Sequence, residues 1–413
     1  MQSGVYGRGC QLRPWISDFG FPPAPYTARM ATASAPDHQW FTTGDAVLAS
    51  VGRDVAAAAR SICFETYIFT DCPAGRDVRE QLVAAARRGV QVRVLVDSIG
   101  SLTLAGAFWK PLTEAGGEVR WFNPVRLDRF AIRDHRKLLV CDHEVALIGG
   151  FNISADTPGD GIQRGWRDLG LRLTGPLAAT LAETFSDMFD RSEMRHTRLY
   201  RLAQFHAKKF LAGPGWQLLL SGPGWGFNPF VRALHRDLAG AREVQIITPY
   251  FLPSRHLRRR LAGVARRGGR VQLILPSKTD IPLSHFAAQS LYRRLLKSGV
   301  EIHEYQPQIL HAKLYLVDGA VYVGSSNLDP RSLRINYELM VRLTDPESVA
   351  GARAIFAENL RLSRRVQFRR WSRSRTWWLR LQQRWAYFLL STLDPLVAGW
   401  QYRRLQAATP PPD

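Results

Sequence analysis

The chain has 413 residues, 46% of them hydrophobic, which is enough for two domains or for one domain of two similar halves. Lys and Arg (56) exceed Asp and Glu (35) by 21, and so basic a surface predicts an anionic partner, either nucleic acid or an acidic membrane. No apolar run reaches the roughly 18–20 residues of a membrane-spanning helix, and the N-terminus lacks the apolar centre of a signal peptide. Any membrane association is therefore expected to be peripheral.

The predicted elements follow an extension rich in Gly, Pro, Ser and Ala over residues 1–36, in which Met30 is an alternative candidate for the translation start. A strand (SICFETYIF), a helix (REQLVAAARRG) and a strand (VQVRVLVD) come first. A helix over residues 104–117 (LAGAFWKPLTEAGG) and a strand (EVRWF) come next. The second half repeats this order with EVQIITPYF, HLRRRLAGVARRGG, RVQLILPS, a helix through LYRRLLKSG, and EIHEY. Strands that alternate with helices predict an α/β sheet.

The two halves of the chain match at a nearly constant offset. ARRGVQVRVLVD in the first half aligns with ARRGGRVQLILP in the second, and His135 and His311 are 176 positions apart. This offset indicates a duplicated unit. The predicted organisation is a first half over 37–205, a second half over 206–363, and a basic C-terminal segment over 364–413.

Each half carries an H-x-K pair in a strand-like run, DHRKLLVCD in the first and LHAKLYLVD in the second. Successive strand side chains alternate between faces, so His135 projects with Lys137, and His311 with Lys313. The chain uses Arg 49 times but Lys only seven times, so a lysine in both copies indicates that a compact positive charge is needed there. The duplicated pair favours a phosphate-binding site over an exposed basic edge strand.

The longer pattern is His135-x-Lys137-x4-Asp142-x6-GGFN, repeated as His311-x-Lys313-x4-Asp318-x5-GSSN. With it the chain resembles the phospholipase D superfamily over roughly residues 40–360. The stretches FETYIF, WRDLGLRLTGP, TPYFLP and GSSNLDPRSLRINYEL look most like the bacterial cardiolipin synthases of the short type without N-terminal transmembrane helices. The resemblance implies an α/β fold of two similar halves, each a mostly mixed β-sheet flanked by helices, packed pseudo-symmetrically around one active site. No metal or other cofactor is expected, because lysine is protonated at neutral pH and is not a usual metal ligand.

The resemblance also implies roles for individual residues. The predicted catalytic set is His135, Lys137, Asp142, His311, Lys313 and Asp318, with His135 as the nucleophile and His311 as the general acid. Asn152, Asn327 and Ser325 are predicted to bind the substrate phosphate, and Gly150 stands where the second copy has Ser325. Asp168 (in WRD) and Glu338 (in NYE) are predicted to orient the histidines. Within the catalytic set, Asp142 and Asp318 are expected to brace the loop after each strand.

The C-terminal segment is dense in Arg and Trp (SRRVQFRRWSRSRTWWLRLQQRWAYFLL). On a helix, one face would carry Trp378, Leu381, Trp385, Phe388 and Leu389, and a neighbouring face Arg373, Arg380 and Arg384. This pattern predicts a helix that lies in the interface of an anionic phospholipid membrane. Packing against the enzyme's own body and contact with nucleic acid are the alternatives.

Three functions compete at this point. The resemblance implies a phosphatidyltransferase that converts two phosphatidylglycerol molecules into cardiolipin and glycerol. The alternatives are a phosphodiesterase or nuclease that uses water as acceptor, and a non-catalytic basic protein, which would have no use for two intact H-x-K sets. The expected location is the cytoplasmic face of a bacterial cell membrane, with phosphatidylglycerol as substrate. Neither a nucleic-acid partner nor an obligate protein partner is expected.

Overall fold

The computed structural model describes residues 37–124, 131–193, 208–224, 226–394 and 396. All of them belong to one compact unit, Ala35–Asp413. The predicted N-terminal extension, with Met30, lies outside the described residues.

The described part of the first half contains a seven-stranded sheet and four helices. The strands are β1 (His38–Phe41), β2 (Ser61–Thr66), β3 (Gln91–Asp97), β4 (Glu118–Phe122), β5 (Leu138–Cys141), β6 (Val145–Gly149) and β7 (Gly170–Thr174). The helices are α1 (Gly44–Ala57), α2 (Pro73–Arg87), α3 (Lys110–Glu114) and α4 (Pro176–Glu193). A 3-10 turn, Gly106–Trp109, precedes α3. The predicted helix over 104–117 is therefore shorter than expected, because Pro111 has no peptide N–H and fits only the first turn of a helix.

The second half contains a nine-stranded sheet. Its strands are β8 (Phe210–Gly213), β9 (Trp216–Ser221), β10 (Glu243–Ile247), β11 (Arg270–Pro276), β12 (Glu301–Tyr305), β13 (Leu314–Val317), β14 (Ala320–Gly324), β15 (Glu338–Leu343) and β16 (Ser363–Arg365). Its described helices are α5 (Pro229–Asp237), α6 (Arg255–Arg266), α7 (Pro282–Lys297), α8 (Pro330–Arg334), α9 (Pro346–Arg361), α10 (Phe368–Arg373) and α11 (Trp377–Phe388). A π-helical turn, Leu389–Leu393, continues α11.

The two sheets share one topology, which confirms the predicted duplication. The first has the strand order β1-β7-β6-β5-β2-β3-β4, and the second contains the matching order β9-β15-β14-β13-β10-β11-β12, with β8 and β16 added at its edges. In both sheets three consecutive strands are parallel, β2-β3-β4 and β10-β11-β12, and the other pairings are antiparallel. Each half is thus a mixed sheet flanked by helices, as expected.

One hydrophobic cluster joins the halves. It combines residues of β5–β7 and β13–β15 with the inner faces of α4 and α9, such as Phe185 and Phe356. Two further large clusters lie under other described helices, one in each half. Because the largest core is shared, burial of apolar surface stabilises the two halves against each other. Within the described ranges, no helix combines the length and the apolar character needed to span a bilayer.

Candidate active site

Each H-x-K segment bonds to the opposite half before it enters its own sheet. The peptide N–H of His135 donates to the carbonyl of Tyr337 (3.0 Å), and the N–H of Tyr337 donates to the carbonyl of Arg133 (2.9 Å). The N–H of His311 likewise donates to the carbonyl of Arg167 (2.7 Å). The prediction that DHRKLLVCD is one continuous strand is therefore wrong at its start. The strand β5 begins only after the lysine, because the backbone before it is bonded to the second half.

The same bridges bring a carboxylate to each histidine. Glu338 follows Tyr337, and its Oε2 lies 3.1 Å from Nδ1 of His135. Asp168 follows Arg167, and its Oδ2 lies 2.6 Å from Nδ1 of His311. Each histidine is thus paired with the carboxylate of the other half. A carboxylate at Nδ1 favours the tautomer that leaves Nε2 as the reacting ring atom.

The lysines and asparagines lie beside this pair of histidines. Lys137 Nζ donates to the carbonyl of His135 (2.6 Å), and Lys313 Nζ lies 2.9 and 3.1 Å from the two ring nitrogens of His311. One cavity of about 510 Å³ is lined by, among others, His135, His311, Asn152 and Asn327. The Oδ1 atom of Asn152 accepts the peptide N–H of Ile68 (3.2 Å), which fixes the amide group. Both motifs therefore open into the same cavity.

The electrostatics of the two histidine centres differ. Burial and the two lysines hold the pKa of His135 well below its ordinary value. Burial also lowers the pKa of Lys137 to about 7, with help from Lys313, and that of Lys313 to about 8. Burial favours the protonated form of Asp168, but His311 and Lys313 outweigh it and keep its pKa below the ordinary value.

The carboxylate of Glu338 behaves differently from that of Asp168. Burial raises its pKa to about 7, although Lys137 and a hydrogen bond from Ser325 oppose the increase. Asp168 is therefore ionised at neutral pH, while Glu338 is close to its midpoint. The two duplicated centres have acquired different proton affinities.

Three predicted site residues, Asp142, Asp318 and Ser325, are engaged in contacts that hold the fold together. Asp142 accepts hydrogen bonds from the peptide N–H groups of residues 59, 60 and 61 (2.9, 2.7 and 2.8 Å), just before β2. Asp318 accepts the corresponding N–H groups before β10, including that of Glu243 (2.8 Å). A catalytic role for these two stays a prediction, and the bracing role is the one that their contacts support. The hydroxyl of Ser325 donates to Glu338 and accepts the N–H of Leu339 (3.0 Å), so it is committed to holding the carboxylate rather than a phosphate.

Gly150, the counterpart of Ser325, leaves room for a carboxylate. A Cβ at this position would lie 2.0 Å from Oδ1 of Asp168 and 2.7 Å from its Cγ. The first copy therefore needs glycine here for Asp168 to reach His311, whereas the second copy uses a serine to hold Glu338.

Two aromatic residues that the sequence reasoning missed contact the histidines. The ring of Tyr67 packs edge-on against that of His135 with centroids 5.0 Å apart, and Trp166 lies 5.3 Å from His311. Lys137 Nζ lies over the ring of Tyr67 at 5.2 Å. Both could have been identified from the sequence, because Tyr67 lies in the stretch FETYIF and Trp166 is the first residue of WRD, and both stretches carry the family resemblance. Among the described residues, no cluster of three or more His, Cys, Asp or Glu side chains has the geometry of a metal site.

Two H-x-K centres that meet in one cavity, in a duplicated mixed-sheet fold, define a phospholipase D-type phosphodiester site. The family described as "Cardiolipin synthase, PLD-like domain" matches residues 53–191 and 236–360. The chain belongs to this family.

Known relatives agree over most of the chain. The major cardiolipin synthase of Bacillus subtilis is 32% identical over 337 residues, covering 80% of this chain and 70% of the relative. Cardiolipin synthase A of Erwinia tasmaniensis is 32% identical, covering 85% of this chain and 74% of the relative. The crystal structure of phosphatidylserine synthase from Haemophilus influenzae has the same fold, with a TM-score of 0.70 at 17% identity, covering 87% of this chain and 94% of that one.

Proposed function

We propose that this protein makes cardiolipin by moving a phosphatidyl group from one phosphatidylglycerol to the hydroxyl of another, with release of glycerol. The observation that carries the proposal is the pair of buried histidines, each backed by a carboxylate and both lining one cavity, in a chain of the cardiolipin synthase family. A phosphodiester has a poor alkoxide leaving group. It therefore needs both a nucleophile on phosphorus and a proton donor for the departing oxygen, and two imidazoles supply both.

The reaction proceeds in two displacements. In the first, Nε2 of His135 bonds to phosphorus, the bond from phosphorus to the glycerol oxygen breaks, and His311 gives its Nε2 proton to that oxygen. In the second, His311 takes the proton from the hydroxyl of a second phosphatidylglycerol. The oxygen of this hydroxyl then bonds to phosphorus as the bond to His135 breaks. Lys137, Lys313 and the two asparagines stabilise the charge on the non-bridging oxygens.

The unequal environments of the histidines support this division of roles. The pKa of His135 lies well below its ordinary value, so its ring is neutral and able to attack. Burial and Lys313 lower the pKa of His311 as well, but the ionised carboxylate of Asp168, 2.6 Å away, opposes this decrease and stabilises an imidazolium. Rapid quenching with labelled phosphatidylglycerol should trap the label on His135. Label on His311 would reverse the two roles.

The function itself is tested by incubating the purified protein with phosphatidylglycerol vesicles and identifying the products by mass. We expect cardiolipin and glycerol, and we expect His135→Ala and His311→Ala each to abolish both. If phosphatidic acid forms in place of cardiolipin, water is the acceptor, and the protein is a phosphodiesterase.

The exposed face of α11 supports a peripheral site of action on the cytoplasmic face of an anionic membrane. This helix buries Gln383 and Ala386 against the protein, with Gln383 donating to Gln289 of α7 (3.0 Å). Most of its large apolar side chains are instead exposed, with Trp378 at 55% and Trp385 at 57% of their full accessible surface. A helix that turns its tryptophans outward among arginines matches the chemistry of a phospholipid headgroup layer. Leu390, just after α11, lines the active-site cavity, so this helix ends beside the site.

Sedimentation with vesicles of phosphatidylglycerol and phosphatidylcholine tests this surface. Replacing Trp378 and Trp385 together by serine should weaken binding by about tenfold or more, because both rings lose apolar burial in the interface. Phe210→Ser is the matched control, since Phe210 is similarly exposed (46%) on the edge strand β8. Equal binding by the double variant and the wild type would refute the membrane role of α11.

A further inference from the structure

The proposed reaction brings two phosphates into one cavity, and the H-x-K centre accounts for only one of them. The donor phosphate is held between the histidines, while the acceptor phosphatidylglycerol carries its own phosphate three carbons from the attacking hydroxyl. This second anion would be repelled by the first unless a cation holds it. Among the described residues, the charged ones that line the cavity outside the H-x-K centre are Arg133, Arg331, Asp280, Asp329 and Asp394.

Most of these charged groups are already committed to the fold. Arg133 is buried (3% exposed) and paired with Asp97 (3.3 Å), and it also donates to backbone carbonyls. Asp329 caps α8 by accepting the N–H of Ser332 (2.9 Å). Asp280 accepts the hydroxyl hydrogen of Tyr250 (2.6 Å). These contacts fix the wall of the cavity.

Arg331 is different, because its carboxylate partner comes from the end of the described chain. Its Nη1 donates to Oδ1 of Asp394 (3.0 Å), and its Nη2 donates to the carbonyl of Ala131 (3.2 Å). The two charged side chains are 41% and 26% exposed, so solvent and solutes reach the pair. An ion pair this exposed contributes little to stability and is readily exchanged for another anion.

The position of Arg331 relative to the histidines suits an acceptor. The ring of Tyr67 packs against His135, and the same tyrosine lies within electrostatic range of Arg331. Arg331 thus lines the same cavity as the two histidines and is bonded to neither of them. A guanidinium binds a phosphate diester through two parallel hydrogen bonds, and the carboxylate of Asp394 occupies one of its donor atoms.

We propose that Arg331 is the acceptor subsite, which binds the phosphate of the second phosphatidylglycerol after displacing Asp394. The inference rests on the proposed function and adds a residue that selects the acceptor. Arg331 takes no part in cleaving the donor. Asp394 acts as an internal competitor, so the bound lipid must break the contact between α8 and the segment after α11.

The experiment compares an anionic acceptor with a neutral one in the same tube. Phosphatidylglycerol vesicles with added ethanol offer one donor and two acceptors, giving cardiolipin or phosphatidylethanol. Arg331→Gln should lower the ratio of cardiolipin to phosphatidylethanol by about 10- to 100-fold, the loss typical of a hydrogen-bonded charge. Arg331→Lys should lower it less, and Asp394→Asn should raise it. Arg87→Gln, on the exposed surface of α2, removes the same charge and should leave the ratio unchanged.

The ratio separates the possible outcomes. Misfolding reduces both products together, so a ratio in Arg331→Gln equal to that of the wild type overturns the subsite, whatever the total activity. A ratio that falls equally in Arg87→Gln overturns it too, because general surface charge would then be the cause. Wild-type protein that forms phosphatidylethanol but no cardiolipin would instead overturn the proposed function, and the acceptor subsite with it.

Discussion

Replacing Gly150 by alanine should disable one histidine without removing any functional group. The added Cβ would lie 2.0 Å from Oδ1 of Asp168, and ordinary contact begins near 3.4 Å, so the carboxylate must retreat by about 1.4 Å. Asp168 is buried, and its other oxygen lies 2.6 Å from His311. The backbone of Gly150 is not in the left-handed region, so the effect is purely steric.

A retreat of this size breaks the hydrogen bond between Asp168 and His311. A misplacement of about 1 Å in an active site can cost roughly 100-fold, and loss of the orienting carboxylate of a histidine costs about 10⁴ in the serine proteases. We therefore expect kcat of Gly150→Ala to fall by about 10²- to 10⁴-fold, with a much smaller change in KM for phosphatidylglycerol. The assay is the initial rate of glycerol release from phosphatidylglycerol vesicles.

Two comparisons make this prediction sharp. Gly106→Ala is the matched control, because a Cβ there meets nothing within 4 Å, and it should retain wild-type kcat. Because both changes remove the same contact, Gly150→Ala combined with Asp168→Asn should be no slower than Asp168→Asn alone. If folded Gly150→Ala, checked by circular dichroism, keeps kcat within about threefold of the wild type, the pairing of Asp168 with His311 does not matter for catalysis.

Other parts of the site give further predictions. Ser325→Ala removes a hydrogen bond that lowers the pKa of Glu338, which is about 7 in the wild type. The acidic limb of the kcat–pH profile should therefore move to higher pH by about one unit. A limb that keeps its position or moves to lower pH contradicts this. The pKa values of Lys137 and Lys313 are about 7 and 8, so both lysines are partly deprotonated at pH 7.5. A bound vanadate anion raises both pKa values, and its binding should therefore be accompanied by the uptake of about one proton. Calorimetry in buffers of different ionisation enthalpy measures this uptake, and proton release would contradict it. Asp142→Ala should lower the free energy of unfolding, measured in urea, by about 1–2 kcal/mol and leave kcat unchanged. A large loss of kcat in folded protein would instead support a catalytic role for Asp142.

The repeated order of strands and helices could be predicted from the sequence because it depends on local periodicity. The parallel strands β2-β3 and β10-β11 are short, mostly apolar runs, and a helix with an apolar stripe connects each pair. The start of β5 could not be predicted in this way, since it depends on a bridge to Tyr337, about 200 residues away. Local patterns carry no information on such a contact.

The candidate site was predictable in its members but not in their pairing. The duplicated motif identified His135 and His311, and the resemblance identified Asp168 and Glu338. Spacing alone would suggest that each carboxylate serves the histidine of its own half. The structure pairs them across the halves, because the residue before each carboxylate bonds to the opposite H-x-K backbone. The contact between Ser325 and Glu338 could not be predicted from local sequence either, because it depends on the pairing of β14 with β15. For that reason Ser325 was predicted to bind the substrate phosphate.

The crossed pairing also explains how a duplicated protein can hold two unlike histidines. Neither half contains a complete histidine–carboxylate pair, so both halves are needed for either centre. Each pair nevertheless has its own surroundings, with Gly150 beside Asp168 and Ser325 beside Glu338. The pKa of Asp168, 2.6 Å from His311, stays below its ordinary value because His311 and Lys313 outweigh its burial, whereas burial raises the pKa of Glu338 to about 7. The two imidazoles therefore have different partners, an ionised carboxylate for His311 and a carboxylate close to its midpoint for His135, which a symmetric site could not provide.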